Sequence, residues 1–270
     1  MPPTVVLDRR VKHSGGMPLQ PVSATAPDLR GVQIMSQAWR DLTFLHWRID
    51  PARVAPLLPA GTAPDVLDGS TWVGLIPFQL VGAHFGTGPA LPYVGTFPET
   101  NVRFYSMDGE GRHGVVFGSL DAARLPFVLG ARVALGLNYA WSRMRVERSG
   151  SVIRYTSRRR WPAPRGAGSD VRVQVSAEVV DDPLADFLTA RWGLHTRHLG
   201  RTFFLPNTHA RWPLQLARLI SLQDELLAVA GFPDLAERAP DSVLYSAGVR
   251  TRFGAPQRVR EASPIVTMPA

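Results

Sequence analysis

An α+β fold dominated by an antiparallel or barrel-like sheet, with a few covering helices, is the class this sequence predicts. Two observations carry it: segments with a two-residue apolar alternation outnumber helical ones, and Gly-rich turns join many neighbouring segments as hairpins.

The first ordered element expected is a strand at 41–49, DLTFLHWRI. There Thr43, Leu45, Trp47 and Ile49 alternate with Phe44, His46 and Arg48, as in a strand with one buried face. Asp50-Pro51 supplies an N-cap and a proline at the first helical position, so a short helix runs to about Leu58, where Pro59 and Gly61 stop it. WVGLIPFQLV at 72–81 reads as an apolar strand in which Pro77 requires a bulge or a sheet edge. Residues 84–97, rich in Gly and Pro, form a loop long enough to cover a site.

The stretch 96–121 reads as a hairpin turning at Asp108-Gly109-Glu110-Gly111-Arg112. Side chains alternate along a strand, so Glu99, Asn101, Arg103 and Tyr105 share one face, about 7 Å apart, and Thr100, Val102 and Phe104 share the other. An acid, an amide, a guanidinium and a phenol in a row suit either a wet sheet face or a lined pocket. The apolar segments on both sides favour the pocket.

Asp121 to Leu135 is predicted as a helix capped at Asp121 and stopped by Gly136. Strands at 139–147 and 151–160 follow across the turn Arg148-Ser149-Gly150, then a strand at 171–179. Asp182-Pro183 opens another helix, ended by Gly193, and 201–205 is a short strand. Residues 213–230 carry Leu216, Leu219, Ile220, Leu226 and Leu227 on one helical stripe and are expected to form the best helix of the chain. Val243 to Phe253 closes the sheet. The organisation expected is a mobile tail at 1–35, one domain at 36–256 and a frayed terminus at 257–270.

The chain has 270 residues and 45% hydrophobic content, enough for a substantial core in a single domain. It has no cysteine, which removes disulfides, thiolate nucleophiles and Cys-based metal sites, and points to the cytosol. No signal peptide or membrane-spanning stretch is visible. The net charge of +8 invites a nucleic-acid reading, but lysine occurs only at Lys12, so 29 of the 30 basic residues are arginine, the pattern of a GC-rich coding bias. The run Arg158-Arg159-Arg160-Trp161 reads as a strand end, and the recognised nucleic-acid-binding signatures are missing. Catalytic motifs such as Gly-x-Ser-x-Gly, the Walker loop and His-Glu-x-x-His are missing too. His195 and His198 have no carboxylate nearby in sequence, so no metal is expected. His46 stands out as a mid-strand histidine, and His209, in NTHARWPL, as one expected at a helix start.

FLHWRIDP (44–51), GSTWVGLIPF (69–78), FPETNVR (97–103), GVVFGSLDA (114–122), ARVALGLNYAWSRM (131–144), LTARWGLH (188–195) and HARWPL (209–214) together resemble the DUF2071 or YqjF-like family of uncharacterised bacterial proteins, in the family's order and over roughly 40–250. The resemblance implies an acetoacetate-decarboxylase-like fold, a partly open barrel or double cone around a small-molecule cavity. That decarboxylase uses a Schiff-base lysine, whereas the sole lysine here is Lys12 in the expected tail, so its mechanism does not carry over. Asn138 stands where the family pattern has proline, and His195 where it has tyrosine.

Two functional readings follow. In the first, Arg103, with Arg132, pairs a substrate carboxylate, Glu99 is the general acid or base with His46 or Tyr139 as proton partner, Asn101 orients a carbonyl, and His209 contributes to binding. The reaction would be a lyase, hydratase or isomerase step on an oxo or hydroxy acid, with no cofactor. In the second, the same groups form a network that binds a ligand without turnover or holds the sheet in register. The partner expected is a small organic acid, with a homo-oligomer left open and nucleic acid disfavoured.

Overall fold

The computed structural model describes residues 22–260. Most of the expected tail (1–35) and the last ten residues of the chain therefore lie outside the described residues.

Thirteen strands make one mixed sheet: β1 (Gln33–Ile49), β2 (Thr62–Pro64), β3 (Thr71–Phe85), β4 (Phe97–Asp108), β5 (His113–Ala122), β6 (Tyr139–Ser149), β7 (Val152–Trp161), β8 (Gly168–Val179), β9 (Gly193–His198), β10 (Arg201–His209), β11 (Leu214–Asp224), β12 (Ser242–Gly254) and β13 (Gln257–Arg258). Among the described residues four α-helices accompany it: α1 (Pro51–Val54), α2 (Leu125–Leu135), α3 (Pro183–Thr189) and α4 (Leu226–Val229). Among the described residues no helix is long and apolar enough to cross a membrane.

The strand pairings close the sheet into two partial rings. One runs β5-β6-β7-β8-β11-β12-β1-β3-β4 and back to β5; the other runs β10-β9-β5-β4-β3-β1-β12 and back to β10. The strands β1, β3, β4, β5 and β12 belong to both and form a wall between two cores. Alternation then sends Leu42, Phe44, Ile76, Phe78 and Tyr105 into one core. Leu45, Trp47, Val73, Leu75, Val102 and Phe104 go into the other. The segment read as a strand with one buried face is thus buried on both, from Leu42 to Trp47.

The hairpin at 108–112, the capped starts at Asp50 and Asp182 and the Gly136 stop are all present. Asp50 accepts from the Ala52 amide at 2.8 Å, Asp182 from the Ala185 amide at 2.8 Å, and Gly136 has φ +67°. Pro77 lies in an internal strand, not at an edge. Its missing N–H is accommodated because β1 bulges opposite it: Arg40 to Leu45 spans one residue more than Gln79 to Leu75.

Several expectations are corrected. Residues 214–224 are strand β11, paired with β8 and β12, and only Leu226–Val229 is helical. Leu and Ile spaced by three and by two satisfy either period there, and sheet pairing decides. Asp121 does not cap α2. It remains in β5, and Arg124, without a side-chain cap bond, precedes the helix. The helix after Asp182 ends at Thr189, and Gly193 opens β9, which was not foreseen. β10 continues to His209, which therefore ends a strand and starts no helix. Two pairings, β5 with β6 and β5 with β9, are parallel, the first made through the α2 crossover. β13 places Gln257 and Arg258 in the sheet, inside the stretch expected to be frayed.

Candidate functional site

The polar face of β4 lies against a cavity of about 370 Å³ inside the smaller ring, within the usual range for small-molecule sites. Its walls are mainly apolar and aromatic, including Trp39, Phe44, Phe78, Leu120 and Trp212. Phe127 and Ala131 of α2 and Leu91 and Val94 of the loop between β3 and β4 also line it. Glu99, Asn101 and Arg103 face this space together, as their spacing of two along one strand dictates.

Glu99 is buried, and the Tyr139 hydroxyl donates to its Oε2 at 3.1 Å. Burial pushes the Glu99 carboxyl up to about 8; the Tyr139 hydrogen bond opposes that rise and the Asp121 charge adds to it. The Tyr139 phenol is itself pushed well upward by burial and by Glu99. At neutral pH the pair is therefore a carboxylic acid beside a phenol, and both carry a proton.

Arg103 is held from one side. Its Nη2 donates to the Leu188 carbonyl at 2.8 Å and to the Tyr105 hydroxyl at 3.1 Å, and its Nε to the same hydroxyl at 3.3 Å. Among the described residues no carboxylate pairs with it and its Nη1 has no partner. Glu99 and Arg103 do not form the buried ion pair that their shared face allowed. Four residue steps along the strand, about 13 Å, separate them.

Asn101, only 6% exposed, has an Oδ1 with no hydrogen-bond partner, and the same holds for Gln37 Oε1 and Asn207 Oδ1 on the cavity wall. Buried polar atoms are seldom left unpaired, so these three are placed to hydrogen-bond whatever fills the cavity, water or ligand.

His46 is elsewhere. It lies in the row His46–Gly74–Arg103, four residues along the strands from the row of Glu99, and does not line the cavity. Its Nε2 is 2.6 Å from the Tyr105 hydroxyl. Its side chain is fully buried, and burial followed by the charges of Arg103 and Arg191 holds its pKa well below the usual imidazole range. The Tyr105 hydroxyl also lies 2.7 Å from the Leu188 carbonyl, which can only accept, so its single proton is used there and His46 Nε2 donates. His46 is thus hydrogen-bonded to Tyr105, which in turn accepts from Arg103, and it lies away from Glu99. Strand alternation gave its face correctly but not its row.

Arg132 also departs from its expected place. Its Nη1 donates to the Tyr139 carbonyl at 2.6 Å and its guanidinium covers the Trp161 ring at 5.2 Å, so it anchors the backbone behind the phenol. His209 does line the cavity. Its Nδ1 donates to the Ala210 carbonyl at 2.7 Å, leaving Nε2 as a bare acceptor, and its ring packs between Trp192 and Trp212 at 4.6 and 4.8 Å. Burial pulls its pKa down to about 4, against the Ala210 bond and with help from Arg103, so the ring is neutral.

Besides Gln37 and Asn207, two polar lining residues are not singled out by the sequence. Thr189, the last residue of α3, and Arg191, just after it, belong to the LTARWGLH segment. Arg191 is neutralised by Asp65, which also accepts from His113 Nδ1 at 2.7 Å. Its Nε donates to the Phe187 carbonyl at 2.8 Å. The only available signal was a charged residue between apolar ones; Asp65 lies 126 residues away and is brought in by the fold alone. Among the described residues no cluster of His, Asp and Glu could hold a metal, and none of them is lysine.

The profile of DUF2071, described as an uncharacterized conserved protein, matches residues 36–250. The uncharacterized protein YqjF of Bacillus subtilis strain 168 is 33% identical over 201 residues, covering 73% of this chain and 81% of that protein. Among solved structures, the chain resembles an acetoacetate decarboxylase-like enzyme from Sphingomonas wittichii RW1, with a TM-score of 0.58, 15% identity, and 85% and 94% of the two chains covered. It resembles the enduracididine biosynthesis enzyme MppR complexed with pyruvate, with a TM-score of 0.58, 14% identity, and 90% and 100% covered. It also resembles acetoacetate decarboxylase from Legionella pneumophila, with a TM-score of 0.58, 13% identity, and 92% and 98% covered. At these identities the likeness is one of fold.

Proposed function

This chain belongs to the DUF2071 family, and we propose that its cavity binds an organic acid and donates a proton to an oxygen of that ligand. The observation that supports the reading best is a buried, protonated Glu99 opening on the same cavity as Arg103, a guanidinium with no carboxylate partner among the described residues. Arg103 is immobilised by Leu188 and Tyr105 through Nε and Nη2, and its free Nη1 suits a ligand carboxylate. Tyr139 occupies Oε2 of Glu99, so the acid proton on Oε1 is the one a carbonyl or hydroxyl oxygen of the ligand meets. Proton donation of this kind opens hydration, elimination and enolisation of oxo and hydroxy acids alike. MppR, which shares the fold, has been captured with pyruvate, in keeping with an organic acid in this cavity.

The test is a thermal-shift screen with oxo and hydroxy acids on wild type, Arg103→Gln and Glu99→Gln. A ligand at a hundred times its Kd stabilises by about 2.7 kcal/mol, a clear rise in Tm. Stabilisation of wild type that Arg103→Gln loses supports the reading. Turnover of that ligand by wild type, with Glu99→Gln still binding it but inert, establishes catalysis; binding without turnover by either protein leaves a ligand-binding protein. If no acid shifts wild type, the reading fails.

A further inference from the structure

Glu99 and Arg103 are the outer two of the three polar β4 residues that line the cavity, and the direction in which Arg103 leans sets the length of the ligand that can reach both. Their Cα atoms are about 13 Å apart along β4, since the bulge at this point falls on β5 and leaves β4 regular. The Arg103 guanidinium does not lean back toward Glu99. It leans on toward Tyr105, the next residue of the same face and the one farther from Glu99, and is fixed there by the Tyr105 hydroxyl and the Leu188 carbonyl. With one hydrogen bond of just under 3 Å at each end, roughly 7–10 Å remain between the two polar groups of a bridging ligand. The stretch between them is apolar. Ile76 and Leu120 are the cross-strand neighbours of Asn101, Phe78 is that of Glu99, and all three line the cavity. The unpartnered Oδ1 of Asn101 interrupts this middle section.

From this geometry, and resting on the reading of the cavity given above, we infer that the ligand is an acid whose carboxylate and second oxygen function are separated by an apolar body of about five to eight carbons. At roughly 1.25 Å of extended chain per carbon, such a body spans the gap. A two- or three-carbon oxo acid reaches Arg103 or Glu99 but not both. A much longer chain overruns the distance and displaces one of the two contacts.

Isothermal titration calorimetry with a ladder of ω-hydroxy acids from three to twelve carbons reads this length directly, with pyruvate, octanoate and octanol as companions. The expected profile peaks at six to nine carbons in all, a body of five to eight plus the carboxyl carbon, about tenfold or more tighter than hydroxypropanoate or pyruvate. Octanoate, lacking the hydroxyl, and octanol, lacking the carboxylate, each bind several-fold more weakly than ω-hydroxyoctanoate. Arg103→Gln erases the advantage of ω-hydroxyoctanoate over octanol, and Glu99→Leu, which cannot hydrogen-bond the hydroxyl, its advantage over octanoate. Affinity that is independent of length, or best for the shortest acids, overturns the length inference and leaves the organic-acid reading standing. Binding of octanol with no acid bound at any length overturns the carboxylate assignment and both readings with it. No binding by any compound overturns both as well.

Discussion

The Tyr139 hydroxyl reaches Oε2 of Glu99 across 3.1 Å, joining a residue of β6 to one of β4 over the floor of the cavity. Because burial lifts Glu99 from 4.5 to about 8, the folded protein keeps a proton that the unfolded chain releases across that window. An acid whose folded pKa is raised costs nothing below its unfolded value and costs increasingly as pH rises through the window.

Glu99→Gln cannot ionise, so its stability relative to wild type is expected to improve steadily between pH 5 and pH 9, by on the order of a few kcal/mol. Denaturant midpoints of the two proteins across this range measure it. A stability difference that does not change with pH would mean that Glu99 is already ionised at pH 5.

His209 carries the opposite sign. Burial lowers its pKa from 6.5 to about 4, so below pH 6.5 the unfolded chain takes up a proton that the folded chain refuses, and stability is lost as pH falls toward 4. His209→Phe gives up the Ala210 hydrogen bond, worth about 1 kcal/mol, but should flatten the acid limb of the stability curve. Equal slopes for the two proteins between pH 6.5 and 4 would contradict this.

Asp121, expected to cap a helix, instead lies fully buried in a cluster on the far side of the wall. Arg159 Nε donates to its Oδ1 at 3.0 Å, and Ser119 and Ser142 donate to it at 2.8 and 2.7 Å. Asp121→Ala strands a buried guanidinium and is expected to cost about 3–5 kcal/mol, whereas Asp121→Leu combined with Arg159→Met should be markedly more stable than the single variant. Equilibrium unfolding of wild type and the two variants decides; a double variant no more stable than Asp121→Ala would show that the stranded guanidinium is not the source of the loss.

Gly74 separates Ile76 from the His46 ring. A Cβ there would sit 2.7 Å from Ile76 Cδ1 and 3.0 Å from His46 Cδ2. Gly74→Ala should therefore destabilise by about 1–3 kcal/mol and, by displacing His46 from Tyr105, weaken ligand binding at Arg103 as well. A loss of stability with unaltered affinity for a carboxylate ligand would separate His46 from the positioning of Arg103.

The sheet and the polar row of β4 were legible because alternation and a Gly-rich turn are local properties, and a hairpin fixes which side chains share a face. The wall was not. Both faces of β1 are apolar enough to be buried, and only closure of the second ring reveals that the face of Phe44 and His46 meets a core. The same limit governed His46, Arg132 and Arg191. The sequence supplies their chemistry, but whether the partner is a ligand, a carbonyl such as that of Tyr139 or a carboxylate such as Asp65 depends on elements far along the chain. β11 was misread for a different reason, since its leucines fit both periods and the decision lies with β8 and β12.

Both rings close on β12, which pairs β1 at the far end of the described chain, Gln33 with Gly254, and also completes the contacts of β10 and β11. During synthesis, therefore, neither core can be sealed until residues 242–254 have left the ribosome. Until then β1, β10 and β11 present unpaired backbone edges flanked by large aromatic side chains. The nascent chain thus passes through a long, sticky interval dominated by non-local pairing, in which folding is slow and chaperone capture is favoured. A chain stopped before Ser242 lacks the strand that closes both rings and is expected to lose the cavity and the second core together.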